Sequence, residues 1–122
     1  MPLTRGEESD AWMALRLWGK DAQMIVCMEE LAELTQALAK EMRPSRRSDP
    51  SHHASDIEHI AEELADVEII TNQIRCIFDW DGPEGEFHSL VREMKGAKLL
   101  RLRRRIDAAE TRRARDAREA AL

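Results

Sequence analysis

Apolar residues recur at intervals of three and four along most of the chain, and this spacing predicts helices rather than strands. The pattern covers residues 8–18, 20–43 and 56–79, and a long segment from about residue 85 onward. Gly19 interrupts the pattern between the first two segments, and Pro44 ends the second because proline cannot continue a helix. The sequence therefore predicts an all-α protein, an antiparallel helical bundle of about four helices.

The predicted helices have apolar stripes that we expect to be buried. In the second helix the stripe consists of Met24, Cys27, Met28, Leu31, Leu34, Leu38 and Met42. In the third it consists of Ile57, Ile60, Leu64, Val67, Ile74 and Phe78, and in the fourth of Leu90, Val91, Met94, Ala97, Leu100 and Leu102. A chain of 122 residues buries only a modest core alone. We therefore expect a homodimer or tetramer in which a partner subunit completes the core.

The remaining segments predict connections and a tail. Residues 44–56 form a polar stretch with two prolines and two adjacent histidines, which predicts a solvated loop. Residues 79–83 have the composition of a turn. Residues 107–122 hold no large apolar side chain before the last residue, so we expect a solvated helical or frayed tail. The length predicts a single domain with its core at about 8–106.

Charge and cysteine content restrict the class of protein. The net charge is −5, but residues 92–118 hold 11 Lys and Arg against 4 Asp and Glu, a local charge of +7, and the remainder carries −12. The acidic part suits metal ions and the basic part suits phosphate, while the overall acidity argues against nucleic acid as a partner. Cys27 and Cys76 fit reduced, buried thiols. Without a signal peptide or an apolar run of membrane-spanning length, the sequence predicts a cytoplasmic protein.

Two acidic pairs, Glu30-x-x-Glu33 and Glu63-x-x-Asp66, lie inside these apolar helical patterns. A spacing of three places both carboxylates of a pair on one side of a helix. Four carboxylates on antiparallel helices that face one cleft would need a cation, and an all-oxygen cluster suits Mg²⁺. Solvated helix faces are the competing explanation, because such pairs occur by chance in an acidic chain. The position of Glu63 within an apolar stripe favours the metal site.

A di-iron carboxylate centre is the competing kind of metal site. Such a centre needs Glu-x-x-His on two helices. The chain offers only Asp56-x-x-His59 as a near match, and no second histidine stands at the needed spacing from an acid on the other predicted helices. The sequence therefore favours a site made of oxygen ligands.

Other residues are candidates for contact with a substrate. Lys98, Arg101 and Arg105 share one face of the fourth predicted helix and could hold phosphates, although a solvated basic face explains them as well. Trp18 could stack on a nucleobase, with core or interface packing as the alternative.

The runs WGKDAQMIVCMEELAEL (18–34), EELADVEII (62–70) and KLLRLRRRI (98–106) resemble the MazG-like all-α nucleoside triphosphate pyrophosphohydrolases, a superfamily that includes dimeric dUTPases and dCTP pyrophosphatases. The resemblance covers about residues 12–106. It implies cleavage of the α–β phosphate bond, which yields a nucleoside monophosphate and pyrophosphate. The implied ligands of Mg²⁺ or Mn²⁺ are Glu30, Glu33, Glu63 and Asp66. The implied phosphate contacts are Lys98 with Arg101 or Arg105.

The same resemblance implies roles for further residues. Glu29, just before the first acidic pair, matches the general base proposed in some members. Gln23 fits a pattern of the bacterial and phage branch, and Gln73 stands where the family often has Asn. The run PSRRSDPSHH (44–53) resembles a local insertion. We therefore expect an enzyme that removes non-canonical or excess nucleotides. The alternative is a non-catalytic helical interaction module that binds a protein or nucleic acid through its basic fourth helix.

Overall fold

The computed structural model describes residues 5–79 and 85–122, and within them every regular element is helical. The helices are α1 (Arg5–Trp18), α2 (Lys20–Glu41), α3 (Pro44–Arg47), α4 (Pro50–Asp79) and α5 (Glu86–Ala120). The predicted all-α class is confirmed. The predicted turn at 79–83 lies outside the described residues except for Asp79, which ends α4. No described helix is both long and apolar enough to span a membrane.

The chain divides into two compact units, Met1–Gly82 and Pro83–Leu122. The first unit contains α1 to α4, and the second contains α5. No residue of α5 is buried, and the predicted inward stripe on this helix is exposed apart from the half-buried Val91. A single helix offers no second surface against which to bury a stripe, so burial of this stripe stays a prediction. The predicted tail is helical to Ala120 and exposed.

The predicted interruption at Gly19 is confirmed, because α1 ends at Trp18 and α2 begins at Lys20. Gly19 has a φ of 90°, which side chains other than glycine rarely adopt. α1 begins at Arg5, three residues before the predicted start, and such boundaries are weakly encoded by periodicity.

The predicted loop at 44–56 is largely helical, so that prediction is wrong. Pro44–Arg47 form α3, and α4 begins at Pro50. Each proline stands at the first position of a helix, where its missing N–H would have no helical acceptor and its fixed φ is favourable. His52 and His53 therefore lie on α4, where both are exposed.

Polar side-chain contacts join α3 to its neighbours and join the end of α2 to the start of α4. Arg46 donates two hydrogen bonds to Asp56, from Nε to Oδ2 at 2.8 Å and from Nη2 to Oδ1 at 2.7 Å. The Arg46 guanidinium lowers the pKa of this buried carboxyl group. At the end of α2, the buried Glu41 contacts His53 Nδ1 at 2.8 Å and Arg47 Nε at 3.5 Å. These polar contacts connect a segment without large apolar residues to α2 and α4.

α2 and α4 are antiparallel, as the sequence predicts. The residues that approach one another along this pair are Gln23 and Gln73, Glu30 and Glu63, and Glu41 and His53. In these pairs the residue number increases along α2 while it decreases along α4, so the two helices run in opposite directions. α1 packs against both helices. Ala11, Leu15, Cys76 and Ile77 form a buried cluster in this unit, with Trp12, Met24 and Ile74 packed against it.

The buried face of α2 differs from the predicted stripe. Four positions of α2 are buried, and none of them is a large aliphatic residue: Gln23, Cys27, Ala37 and Glu41. Glu30 and Leu34 are half-buried between them, and so are Met24 and Val26. The predicted Met28, Leu31, Leu38 and Met42 are exposed. On α4 the predicted Ile57, Leu64 and Phe78 are exposed as well. The apolar surface of each helix is wider than one neighbouring helix covers, and the seam between them includes acidic positions.

Candidate metal centre

Three glutamates from the two antiparallel helices converge near the middle of the α2–α4 pair. Glu30 and Glu33 lie one turn apart on α2, and Glu63 lies opposite them on α4. One carboxylate oxygen from each of the three residues lies within 4.8 Å of the other two. Three ionised carboxylates at this separation repel one another, so the arrangement favours a bound cation or a retained proton.

Two oxygens of this cluster are buried without a partner. Glu30 Oε2 and Glu63 Oε2 are inaccessible to solvent and accept no hydrogen bond from any described residue. A buried carboxylate oxygen without a donor or a cation is unfavourable. Hard oxygen ligands are those that Mg²⁺ and other hard divalent ions prefer. The donor set and its unpartnered oxygens therefore fit such an ion.

The raised pKa of Glu30 is consistent with a cation site. Burial raises the pKa of the Glu30 carboxyl group, and the nearby charges of Glu33, Asp66 and Glu63 raise it further. Both causes disfavour the ionised form, the first by desolvation and the second by like-charge repulsion. A divalent cation at the same place would reverse the second effect.

Asp66, the fourth predicted ligand, lies at the margin of this cluster. Its side chain is exposed, and its oxygens are not among those within 4.8 Å of one another. It still contributes negative charge at Glu30. The structure thus brings three of the four predicted ligands together, and coordination by Asp66 stays a prediction.

Four other predicted site residues belong to the first unit. Glu29 is exposed beside Glu30 on α2. Gln23 and Gln73 are both buried, and the Gln23 amide donates a hydrogen bond to Gln73 Oε1. Gln23 lies seven residues before Glu30, which corresponds to about 10 Å along the helix axis. Trp18 ends α1 and is 64% exposed.

The predicted phosphate-binding residues lie on α5. Lys98, Arg101 and Arg105 are all exposed. Lys98 lies between Met94 and Leu102 in an open apolar groove on this helix. The residues that line this groove include no carboxylate, so it offers no site for a hard ion. Phosphate binding by the three cations stays a prediction.

One residue of this site was missed by the sequence prediction. His59 Nε2 lies 3.1 Å from Glu63 Oε1. The signal was present in the sequence, because residues four apart on a helix are neighbours on its surface. The Glu-x-x-His spacing of a di-iron centre does not identify this pair, because His59 precedes Glu63 by four residues.

Comparison of the chain with protein-family models, curated proteins and solved structures gave no match. The interpretation of the cluster therefore depends on its residues and their geometry.

Proposed function

We propose that this protein is a metal-dependent nucleoside triphosphate pyrophosphohydrolase of the MazG-like type, which cleaves a (deoxy)nucleoside triphosphate to the monophosphate and pyrophosphate. The observation that carries the proposal is the convergence of Glu30, Glu33 and Glu63. Glu30 and Glu63 each have one buried carboxylate oxygen without a hydrogen-bond partner among the described residues. The order and spacing of the acidic pairs, which resemble those of that superfamily, add to it. Cytoplasmic removal of non-canonical or excess nucleotides is the proposed role.

The chemistry of a triphosphate matches the charges of the chain. Hydrolysis of a phosphoanhydride needs neutralisation of the phosphate oxygens and a correctly placed water. Mg²⁺, or Mn²⁺ in its place, supplies electrostatic stabilisation of those oxygens when the three glutamates and Asp66 hold it. Glu29, exposed beside Glu30, is the candidate general base that accepts the proton of the attacking water.

Further side chains are proposed to bind the rest of the nucleotide. Lys98 with Arg101 or Arg105 would donate hydrogen bonds to phosphate oxygens, and such charge-assisted bonds are stronger than neutral ones. Gln23 and Gln73 each carry an amide with a donor and an acceptor, the groups that read a base or sugar edge. The exposed ring of Trp18 offers a surface for stacking.

We also propose that the protein is a homodimer or a tetramer. Met28, Leu31, Leu38 and Met42 are exposed on one side of α2. Exposed apolar surface of this kind marks interfaces. A second copy is the proposed partner because a chain of 122 residues buries a limited core alone.

Leu38→Glu should therefore convert the oligomer to a monomer, because a carboxylate would be buried in the interface. Sedimentation velocity at micromolar concentration measures the change. Gln36→Glu, on another side of the same helix, is the matched control and should leave the oligomer intact. If the wild-type protein itself sediments as a monomer, the proposed homodimer or tetramer is wrong.

The direct test of the proposed activity is pyrophosphate release from the eight common NTPs and dNTPs and from dUTP, with Mg²⁺ and with EDTA. We expect release that requires the metal, with one nucleoside monophosphate formed for each pyrophosphate. Release of orthophosphate instead would indicate attack at another phosphate. No release from any nucleotide by a folded protein would overturn the proposal.

A second candidate function is the interaction module. It is favoured by α5, on which no residue is buried and on which nine arginines and two lysines occur between residues 92 and 118. If this function is correct, binding to a random duplex should weaken steeply as salt increases, because each phosphate contact releases counterions. Mg²⁺ should then leave the melting temperature unchanged.

A further inference from the structure

The carboxylate of Glu63 has two different environments for its two oxygens. Glu63 Oε1 lies 3.1 Å from His59 Nε2, one helical turn earlier on α4. Glu63 Oε2 is buried and has no partner among the described residues. An ionised carboxylate only accepts hydrogen bonds, so the contact requires a proton on Nε2 of His59. His59 therefore occupies one oxygen and leaves the other available.

Burial distinguishes the two sides of this contact. The side chain of His59 is 47% exposed, whereas that of Glu63 is 12% exposed. His59 thus reaches Glu63 from the solvent side, and Glu30 and Glu33 approach it at the cluster. His59 does not belong to the group of mutually close ligand atoms. Its position is that of a residue that holds a ligand, and not of a ligand itself.

We propose that His59 is a positioning residue for Glu63 and that it sets the ion preference of the site. This inference rests on the proposed metal centre. Hydrogen bonds to a ligating carboxylate fix its orientation. With Oε1 engaged by His59, Glu63 presents a single oxygen to the ion. Mg²⁺ is small and requires near-octahedral geometry, whereas Ca²⁺ accepts more ligands and carboxylates that bind through both oxygens.

Removing the imidazole of His59 should therefore weaken ion binding and reduce the preference for Mg²⁺ over Ca²⁺. Without His59 the Glu63 carboxylate can rotate about its last bond and offer both oxygens, which suits the larger ion. We expect His59→Ala to weaken Mn²⁺ binding by about 10–100-fold, the usual effect of losing such a partner. Ca²⁺ should compete with Mn²⁺ better in this variant, relative to Mg²⁺, than in the wild-type protein.

The experiment measures ion binding by the full chain without nucleotide. Free Mn²⁺ is followed by electron paramagnetic resonance, and Mg²⁺ and Ca²⁺ are added as competitors. His59→Gln should restore most of the affinity and the preference for Mg²⁺, because a glutamine amide can donate to a residue four positions later. His52→Ala is the matched control, since His52 is 51% exposed on the same helix and its carboxylate neighbour is Asp49. This control should bind ions as the wild type does.

The outcomes separate the inference from the proposed function. Wild-type affinity and ion preference in His59→Ala would overturn the role of His59 and leave the metal centre intact. Absence of Mn²⁺ binding by the wild-type protein would overturn both. If His59→Ala does not fold, as judged by circular dichroism, His59→Leu replaces it, because leucine also lacks the donor. A loss of affinity that His59→Gln does not restore would also overturn the positioning role.

Discussion

Glu63→Gln is expected to eliminate nearly all pyrophosphate release while leaving the protein folded. Glu63 is the residue that α4 contributes to the group of mutually close carboxylates. An amide retains the size of the side chain but loses the negative charge that holds a divalent ion. We expect kcat/KM to fall by roughly a hundredfold to a thousandfold, the range for losing one preorganised electrostatic group.

Glu63→Gln should fold because glutamine keeps a hydrogen-bond acceptor and reduces the repulsion between the carboxylates. Glutamine still offers an oxygen that can accept a hydrogen bond from His59. It also removes one of the charges that repel Glu30 and raise its pKa. In EDTA, the melting temperature of Glu63→Gln should therefore equal or exceed that of the wild type. Circular dichroism and a thermal melt test this part of the prediction.

Glu62→Gln is the matched control, because Glu62 is exposed and adjacent on the same helix. It makes the same chemical change outside the cluster, so it should retain wild-type activity and wild-type metal dependence. If Glu63→Gln remains as active as this control, the assignment of the carboxylates to a metal is wrong.

Divalent ions should stabilise the protein at neutral and higher pH, and much less in acid. An ion that binds only the folded state stabilises it by about 2.7 kcal/mol at a hundred times its Kd. For a chain of this size that corresponds to a rise of roughly 10 °C in melting temperature. Thermal melts with Mg²⁺, Mn²⁺ and EDTA at pH 5 and pH 8 measure the effect.

The pH dependence follows from the raised pKa of Glu30. The folded state holds this proton more tightly than the unfolded chain does. Between the ordinary glutamate pKa and the raised value, the ion-free protein therefore loses stability as the pH rises. Ion binding needs the ionised carboxylates, so the stabilisation by the ion increases over the same interval. As the pH rises, the ion-free protein should therefore become less stable while the stabilisation by the ion becomes larger. Observing both changes would support an ion site at Glu30.

Glu30→Gln should separate these effects. In EDTA at pH 8 it should raise the melting temperature, because a repelled charge is removed from the cluster. It should also eliminate most of the rise caused by Mg²⁺. Glu68→Gln, an exposed acid on α4, is the control and should behave as the wild type does. An ion-dependent rise that persists in Glu30→Gln would contradict the proposed site.

The acidic cluster could be predicted only in part from the sequence. The spacing of three places Glu30 and Glu33 on one side of α2, which local helix geometry alone determines. Whether Glu63 or Asp66 lies nearer to them depends on the register of α4 against α2. The structure places Glu63 in the group and Asp66 at its margin. The proposed role of His59 depends on the side-chain conformation of Glu63, which contacts His59 through one oxygen and buries the other without a partner among the described residues.

The sequence by itself determined the helical class, the break at Gly19 and the end of α2 before Pro44, because each depends on periodicity or backbone chemistry within a few residues. Tertiary structure decided which face of each helix is buried. α2 turns a seam that includes Glu30 and Glu41 toward its neighbours and leaves Met28 and Leu38 exposed. Tertiary contacts also account for the ordered segment after Pro44, whose ion pairs join residues from separate helices. Such choices depend on packing between segments distant in sequence, which periodicity does not encode.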